Sequence, residues 1–183
     1  MSVRSACEGD LPGILAIYAP YVENTTVSFE YEAPSLEDFT RRFRDITRQF
    51  PWLVWEEEGR ILGYAYGSAP FERAAYRWCA EPSIYLAPEA QGRGIGRRLY
   101  EALEDILGKQ GYQLLYAIIT EENSASIAFH EHLGYRRLAH FGGCAYKFGK
   151  NLGILWMEKR LSPVEIPSIF PKPWMEVVET DKF

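Results

Sequence analysis

The stretch Gln91-Gly92-Arg93-Gly94-Ile95-Gly96 has the composition of a phosphate cradle. Glycines let neighbouring backbone amides converge without a Cβ in the way. A helix that starts just after such a turn adds unpaired N–H groups and a partial positive charge. Together these features suit a diphosphate, and Arg93, Arg97 and Arg98 add charge beside them. Two familiar phosphate loops do not fit. A Walker loop ends in Lys-Ser or Lys-Thr, and neither pair occurs in the chain. A dinucleotide fingerprint needs GxGxxG in a first βαβ unit, whereas Gly92, Gly94 and Gly96 give GxGxG.

Other reactive groups are sparse. Cys7, Cys79 and Cys144 are scattered and odd in number, so they form neither a disulfide framework nor a zinc site. No metal is expected, and a reducing cytoplasm is the natural setting. The 20 basic and 25 acidic residues leave a formal charge of −5, which argues against a nucleic-acid partner. Arg41, Arg42, Arg44 and Arg48 read as the solvated face of one helix rather than a binding patch. No apolar run is long enough to span a bilayer, and the first ten residues lack the apolar stretch of a signal peptide.

The elements that must hold the loop can be read from periodicity. Residues 2–6 suggest a first strand. Asp10 suggests an N-cap, with Pro12 in the first turn and Leu11, Ile14, Leu15 and Tyr18 at helical spacing. Residues 19–34 read as irregular. Ser35 opens a second helix, in which Leu36, Phe39, Phe43 and Ile46 keep the period up to Gln49. Residues 52–56 and 61–67 form a hairpin around Glu57-Glu58-Gly59-Arg60. Residues 83–87 make a strand leading into the glycine loop, followed by a helix over 95–110 with Leu99, Leu103, Ile106 and Leu107 on one face. A strand over 112–120 is apolar on both faces. Asn123 opens a last helix, and two strands fit 135–147 and 152–160. The order β-α-α-β-β-β-α-β-α-β-β is that of an α/β domain with a mixed sheet. Four prolines after Leu161 keep the tail out of regular structure.

QGRGIG matches Q/R-x-x-G-x-G/A and resembles the acyl-CoA pyrophosphate loop of the GNAT superfamily of N-acetyltransferases. The run from Asn123 to Tyr135 is similar to that family's second signature, N-x-x-A/S followed by L-Y-x-x-x-G-F/Y. A narrower likeness is to the phosphinothricin/methionine sulfone acetyltransferase branch. It is carried by residues 18–22, Thr25, Ser28-Phe29-Glu30, 51–54, 75–81 and Lys147-Phe148-Gly149, and it covers roughly residues 2–160.

The resemblance implies a single-domain GNAT fold over residues 1–161, with a mixed central β-sheet flanked by helices. Residues 162–183 would then be a Pro-rich tail packing on the domain or on a partner. Acetyl-CoA would be the co-substrate, held by Tyr85, Leu86, Ala87, Gln91, Gly92, Arg93, Gly94, Ile95, Gly96, Arg97, Asn123 and Ser126. Backbone amides near Tyr85 to Ala87 would also serve the oxyanion. Asn123 suits a helix N-cap equally well, and both roles can hold together. Direct attack by the amine in a ternary complex needs no acyl-enzyme, so Cys79 reads as a packing residue. Glu81, just ahead of the strand that leads to the loop, takes the place of the branch's general base. An ordinary carboxylate is a weak base, so burial or a water relay must help. His130 stands where many members have a tyrosine that protonates the leaving thiolate, and it is also placed to relay the amine proton.

On the substrate side, Arg73 and Tyr76 match branch positions that contact the amino acid, and a guanidinium pairs well with a carboxylate. Phe29 and Tyr85 either wall the pocket or belong to the core. Phe71 stands where a resembling herbicide-resistance enzyme has a lysine, which weakens the case for a phosphinate and favours methionine sulfone, methionine sulfoximine or another amino acid. Lys147 is a candidate replacement for that charge. The expected partners are a small amino-acid-like amine and, through the apolar tail, a second copy of the chain in a homodimer. The rival readings are a protein or peptide N-acetyltransferase and a CoA-binding sensor without turnover.

Overall fold

The computed structural model describes residues 2–163 and 169–178. Seven strands form one sheet: β1 (Ser2–Ser5), β2 (Trp52–Glu57), β3 (Arg60–Ser68), β4 (Cys79–Leu86), β5 (Leu114–Thr120), β6 (Arg136–Lys147) and β7 (Lys150–Arg160). Four helices flank it: α1 (Leu11–Asn24), α2 (Leu36–Thr47), α3 (Ile95–Gln110) and α4 (Ser124–His132). This is the mixed α/β arrangement read from the sequence. Among the described residues no helix is long and apolar enough to cross a membrane.

Local chemistry explains most of the boundaries. Ser35 caps α2 by accepting the Asp38 amide at 3.1 Å. Glu58 and Gly59 take positive φ (53° and 76°), the two-residue turn whose twist matches a hairpin. On α3, Leu99, Leu103, Ile106 and Leu107 are buried together against the sheet, and Gly111 ends the helix with φ 101°.

Two elements run beyond their expected limits. Residues 19–24 are not irregular: α1 continues through Pro20 to Asn24. Proline removes one helical hydrogen bond, but Tyr18 and Val22 sit in the core on either side of it, and their burial carries the helix on. Strand β4 starts at Cys79, so Glu81 lies within the strand, opposite Ser68, and not ahead of it. Pro82 is tolerated there because its partner Gly67 points its amide away, to Pro51 O at 3.2 Å. The Gly67–Pro82 pair is thus a non-hydrogen-bonded one, and proline costs no ladder bond to β3.

The sheet order is β1-β2-β3-β4-β5-β7-β6. All neighbours are antiparallel except β4 and β5, which pair only at Cys79–Leu114 and Ala80–Leu115. Beyond that point each strand is held by its other neighbour. Residues 81–86 stay paired with β3, and every residue of β5 stays paired with β7. The two strands therefore diverge from Glu81 onward and open a wedge in the middle of the sheet.

Candidate active site

The wedge collects the polar groups of this otherwise apolar region. A cavity of about 70 Å³ is lined there by Glu81, Tyr85, Tyr100, Asn123, Ser126 and His130, among others. A larger depression of about 900 Å³ runs along α1 and the β2–β3 turn. Its charged groups are already satisfied, Arg4 binding both Asp10 and Glu56, and no acid–base pair is left open in it.

Glu81, Ser83 and Tyr85 share one face of β4. Tyr85 stacks on Tyr64, which with Tyr66 and Trp52 forms an aromatic ladder across β2–β4. Against this wall Glu81 is largely shielded from water, and burial pushes its pKa up to about 7.

His130 is buried on α4. Its Nδ1 lies 2.7 Å from the Ser126 carbonyl, and a carbonyl only accepts, so Nδ1 carries the proton. Burial lowers the imidazole pKa, so Nε2 is an acceptor at neutral pH. It faces the Tyr100 hydroxyl at 2.7 Å. That hydroxyl also lies 3.1 Å from Pro82 O, next to Glu81 in the chain. If Nε2 takes a proton, it can donate to Tyr100, whose own hydrogen then turns to Pro82 O. Tyr100 escaped the sequence reading; its one signal was a phenol among aliphatic residues on the buried face of α3. Asn123 caps α4, its Oδ1 accepting the Ser126 amide at 3.1 Å, and it lines the cavity as well.

The glycine loop stands at the open end of the wedge. Gly92 and Gly94 have φ of 71° and 76°, and nothing lies near where their Cβ atoms would be, so conformation and not space requires glycine. Gly96 is the reverse case: a Cβ would come within 3.3–3.5 Å of Leu86, Ile84 and Phe129. Arg98 is the first residue of α3 whose amide bonds back, to Gly94 O at 3.3 Å. The amides before it, including those of Ile95, Gly96 and Arg97, are the donors a helix start leaves free. The side-chain charges are engaged in this structure: Arg93 pairs with Glu57, Arg97 with Glu101, and Arg98 lies over the Trp55 ring. Gln91 reaches the Tyr21 hydroxyl at 3.4 Å.

Of the three residues proposed to serve the oxyanion, Ala87 spends its amide on Leu62 O at 2.9 Å. The alternation of an antiparallel ladder commits Tyr85 to β3 in the same way. The amide of Leu86 points to the open side.

Comparison with known proteins is decisive for the family. The family model described as an acetyltransferase (GNAT) domain matches residues 3–156. The chain belongs to the GNAT acetyltransferase family. An L-methionine sulfoximine/L-methionine sulfone acetyltransferase of Pseudomonas aeruginosa is 37% identical over 166 residues, covering 88% of this chain and 95% of the relative. A phosphinothricin acetyltransferase of Sinorhizobium meliloti, solved in complex with acetyl-CoA, is 33% identical with a TM-score of 0.87, covering 92% of this chain and 94% of that one. A ribosomal-protein-alanine N-acetyltransferase from Brucella melitensis is 36% identical with a TM-score of 0.85, covering 88% of this chain and 100% of that one.

In this acetyltransferase the expected substrate residues are not all gathered at Glu81. Arg73 and Tyr76 are exposed and line a separate cavity of about 350 Å³, together with Phe71 and Cys79. Cys79 lies two residues before Glu81, hence on the same sheet face. Phe29 is half-buried outside the wedge cavity, where Val27 is the lining residue. Phe71 packs on Tyr76, Tyr116 and Trp156. Lys147 supplies no charge to the site, because its buried ammonium donates to Val22 O and Ser28 O at 2.6 and 2.7 Å. Cys79 is half-buried with a thiol pKa raised by burial, the opposite of an activated nucleophile.

Proposed function

We propose that this enzyme transfers the acetyl group of acetyl-CoA to the α-amino group of a small amino-acid-like substrate of the methionine sulfone or sulfoximine type, by direct attack in a ternary complex. The single observation that carries the reading is Glu81, a half-buried carboxyl lining the wedge between β4 and β5, whose pKa burial pushes up to about 7. A base of that strength takes one proton from the ammonium and so frees the nitrogen lone pair that attacks the thioester carbon. The N–C bond forms, the C–S bond breaks, and the nitrogen gives up its second proton, which the departing CoA thiolate takes up. The diphosphate of acetyl-CoA is assigned to the amides of residues 92–97, with Gln91 beside them. The thioester carbonyl is assigned to the Leu86 amide, Asn123 and Ser126 flank the pantetheine side, and Tyr85 walls the pocket. His130, with an unprotonated Nε2 held by Tyr100, is suited to receiving and passing on a proton and not to holding one in reserve for sulfur.

Arg73 and Tyr76 are assigned to the amino acid's carboxylate side, with Phe29 kept as a wall of its approach. The aromatic setting of Phe71 and the committed Lys147 favour a sulfone or sulfoximine over a phosphinate, which would want a cation. The test is thiol release from acetyl-CoA across amino acids, methionine sulfone, methionine sulfoximine, phosphinothricin and short peptides. The expected order puts the methionine analogues at least tenfold above phosphinothricin in kcat/KM. A second reading, acetylation of a protein N-terminus, is favoured by the likeness to the Brucella protein; a peptide outcompeting every free amino acid would support it and refute the first.

A homodimer and a cytoplasmic setting complete the proposal. Strand β6 exposes Leu138, Phe141 and Tyr146 at the sheet edge, the kind of apolar surface a second copy covers. Light scattering of the purified enzyme tests this, with a mass of one chain as the refuting result.

A further inference from the structure

The segment after β7 lies beyond the residues matched by the family model, yet its described part is firmly tied down. Trp174 donates its indole N–H to Thr47 O at 2.8 Å and its amide to Gln49 O at 3.1 Å. Gln110, buried at the end of α3, donates to Gln49 O at 2.7 Å and to Lys172 O at 2.6 Å. The Lys172 amide returns to Gln110 O at 2.9 Å. This anchor joins the ends of α2 and α3 to the tail.

From the anchor, Ile169 and Phe170 reach the turn that precedes β4. The Trp78 indole N–H donates to Ile169 O at 3.0 Å. The Phe170 ring stacks on Trp78 with centroids 5.3 Å apart, and the Arg77 guanidinium lies 4.5 Å from the Phe170 ring centre. Phe170 and Pro171 also line the cavity that holds Arg73, Tyr76 and Cys79. Residues 71–77 are all exposed, so this turn has little core of its own to hold it.

We propose that residues 169–178 are a positioning strap for the amino-acid side of the site: packed under Arg77 and Trp78, they fix the turn carrying Arg73 and Tyr76 relative to Glu81. The inference rests on the reading that this cavity receives the amino-acid substrate. A turn held in place beforehand binds without paying for its own ordering, so the strap acts on amino-acid affinity and leaves the acetyl-CoA loop, on the far side of the wedge, untouched.

The test uses Phe170→Ala, Phe170→Tyr and a chain ended after Ser162. Two quantities are read: the KM of each substrate, and amide hydrogen exchange of residues 71–80 against residues 95–103. Phe170→Ala is expected to speed exchange at 71–80 about tenfold and to raise the amino-acid KM about tenfold, each the loss of one ring stack and its neighbours. Exchange at 95–103 and the acetyl-CoA KM stay within twofold. Phe170→Tyr keeps the stack and restores both. Unchanged exchange at 71–80 in Phe170→Ala overturns the proposal, as does an equal rise in both KM values. Should the shortened chain fail to fold, Phe170→Ala decides alone. The exchange readout stands whichever amine is the substrate: a wrong substrate assignment shows as faster exchange at 71–80 with both KM values unchanged, whereas an equal rise in both counts against the strap itself.

Discussion

Glu81→Gln should make the enzyme more stable while nearly abolishing its activity, and the gain in stability should depend on pH. In the folded chain burial holds the Glu81 carboxyl protonated up to about pH 7, against 4.5 for the free group. Between those values the folded state binds more protons than the unfolded one, so this group's contribution to stability falls as pH rises. The rise from 4.5 to about 7, at about 1.4 kcal/mol for each pH unit, amounts to a cost of about 3 kcal/mol, fully present above pH 7. Glutamine has nearly the same shape and never ionises, so it escapes that cost. Urea unfolding of both proteins at pH 5 and pH 8 isolates the effect, because every other titrating group cancels in the difference. The variant should exceed the parent by less than about 1 kcal/mol at pH 5 and by about 3 kcal/mol at pH 8. In parallel, kcat/KM should fall by about 10²–10⁴, and the acidic limb of the parent's pH profile should turn near the Glu81 pKa. A stability difference that is the same at both pH values would refute the argument, since it would mean that the carboxylate is not desolvated.

Three further substitutions test the site and the packing around it. Tyr100→Phe removes the donor to His130 and the contact with Pro82 O; it should cost about 1–2 kcal/mol by urea unfolding and lower kcat about tenfold, with both KM values held within twofold. Gly94→Ala places a Cβ on a backbone at φ 76°; it should cost about 1–2 kcal/mol and raise the acetyl-CoA KM more than the amino-acid KM in initial-rate measurements. Lys147→Met leaves the carbonyls of Val22 and Ser28 without their donor; the loss of about 3 kcal/mol should lower Tm by roughly 6–12 °C in a thermal scan.

The features legible in the sequence are those set by residues close together in the chain. The cradle is one: positive φ at Gly92 and Gly94 and the free amides of a helix start follow from six consecutive residues. The caps at Ser35 and Asn123 and the apolar face of α3 are others, since each rests on neighbours within a turn or two. Glu81 and His130 were legible as candidates because their surrounding motifs are local.

What brings those two candidates to one cavity was decided by the tertiary structure. The wedge exists because β4 is held by β3 and β5 by β7, while β4 and β5 share only two pairs. Such a splay depends on strands brought together from distant parts of the chain, and no local pattern encodes it. The contact between Tyr100 and His130 spans 30 residues, and that between Lys147 and Ser28 spans 119; the first appears only once α3 and α4 pack, and the second took away a charge that looked free. Helix α1 passes Pro20 for the same reason, since burial of Tyr18 and Val22 outweighs a lost hydrogen bond. Side-chain types and near-neighbour spacing specify which chemistry is on hand; the desolvation that pushes the Glu81 pKa up to about 7 arises only when distant segments close around it.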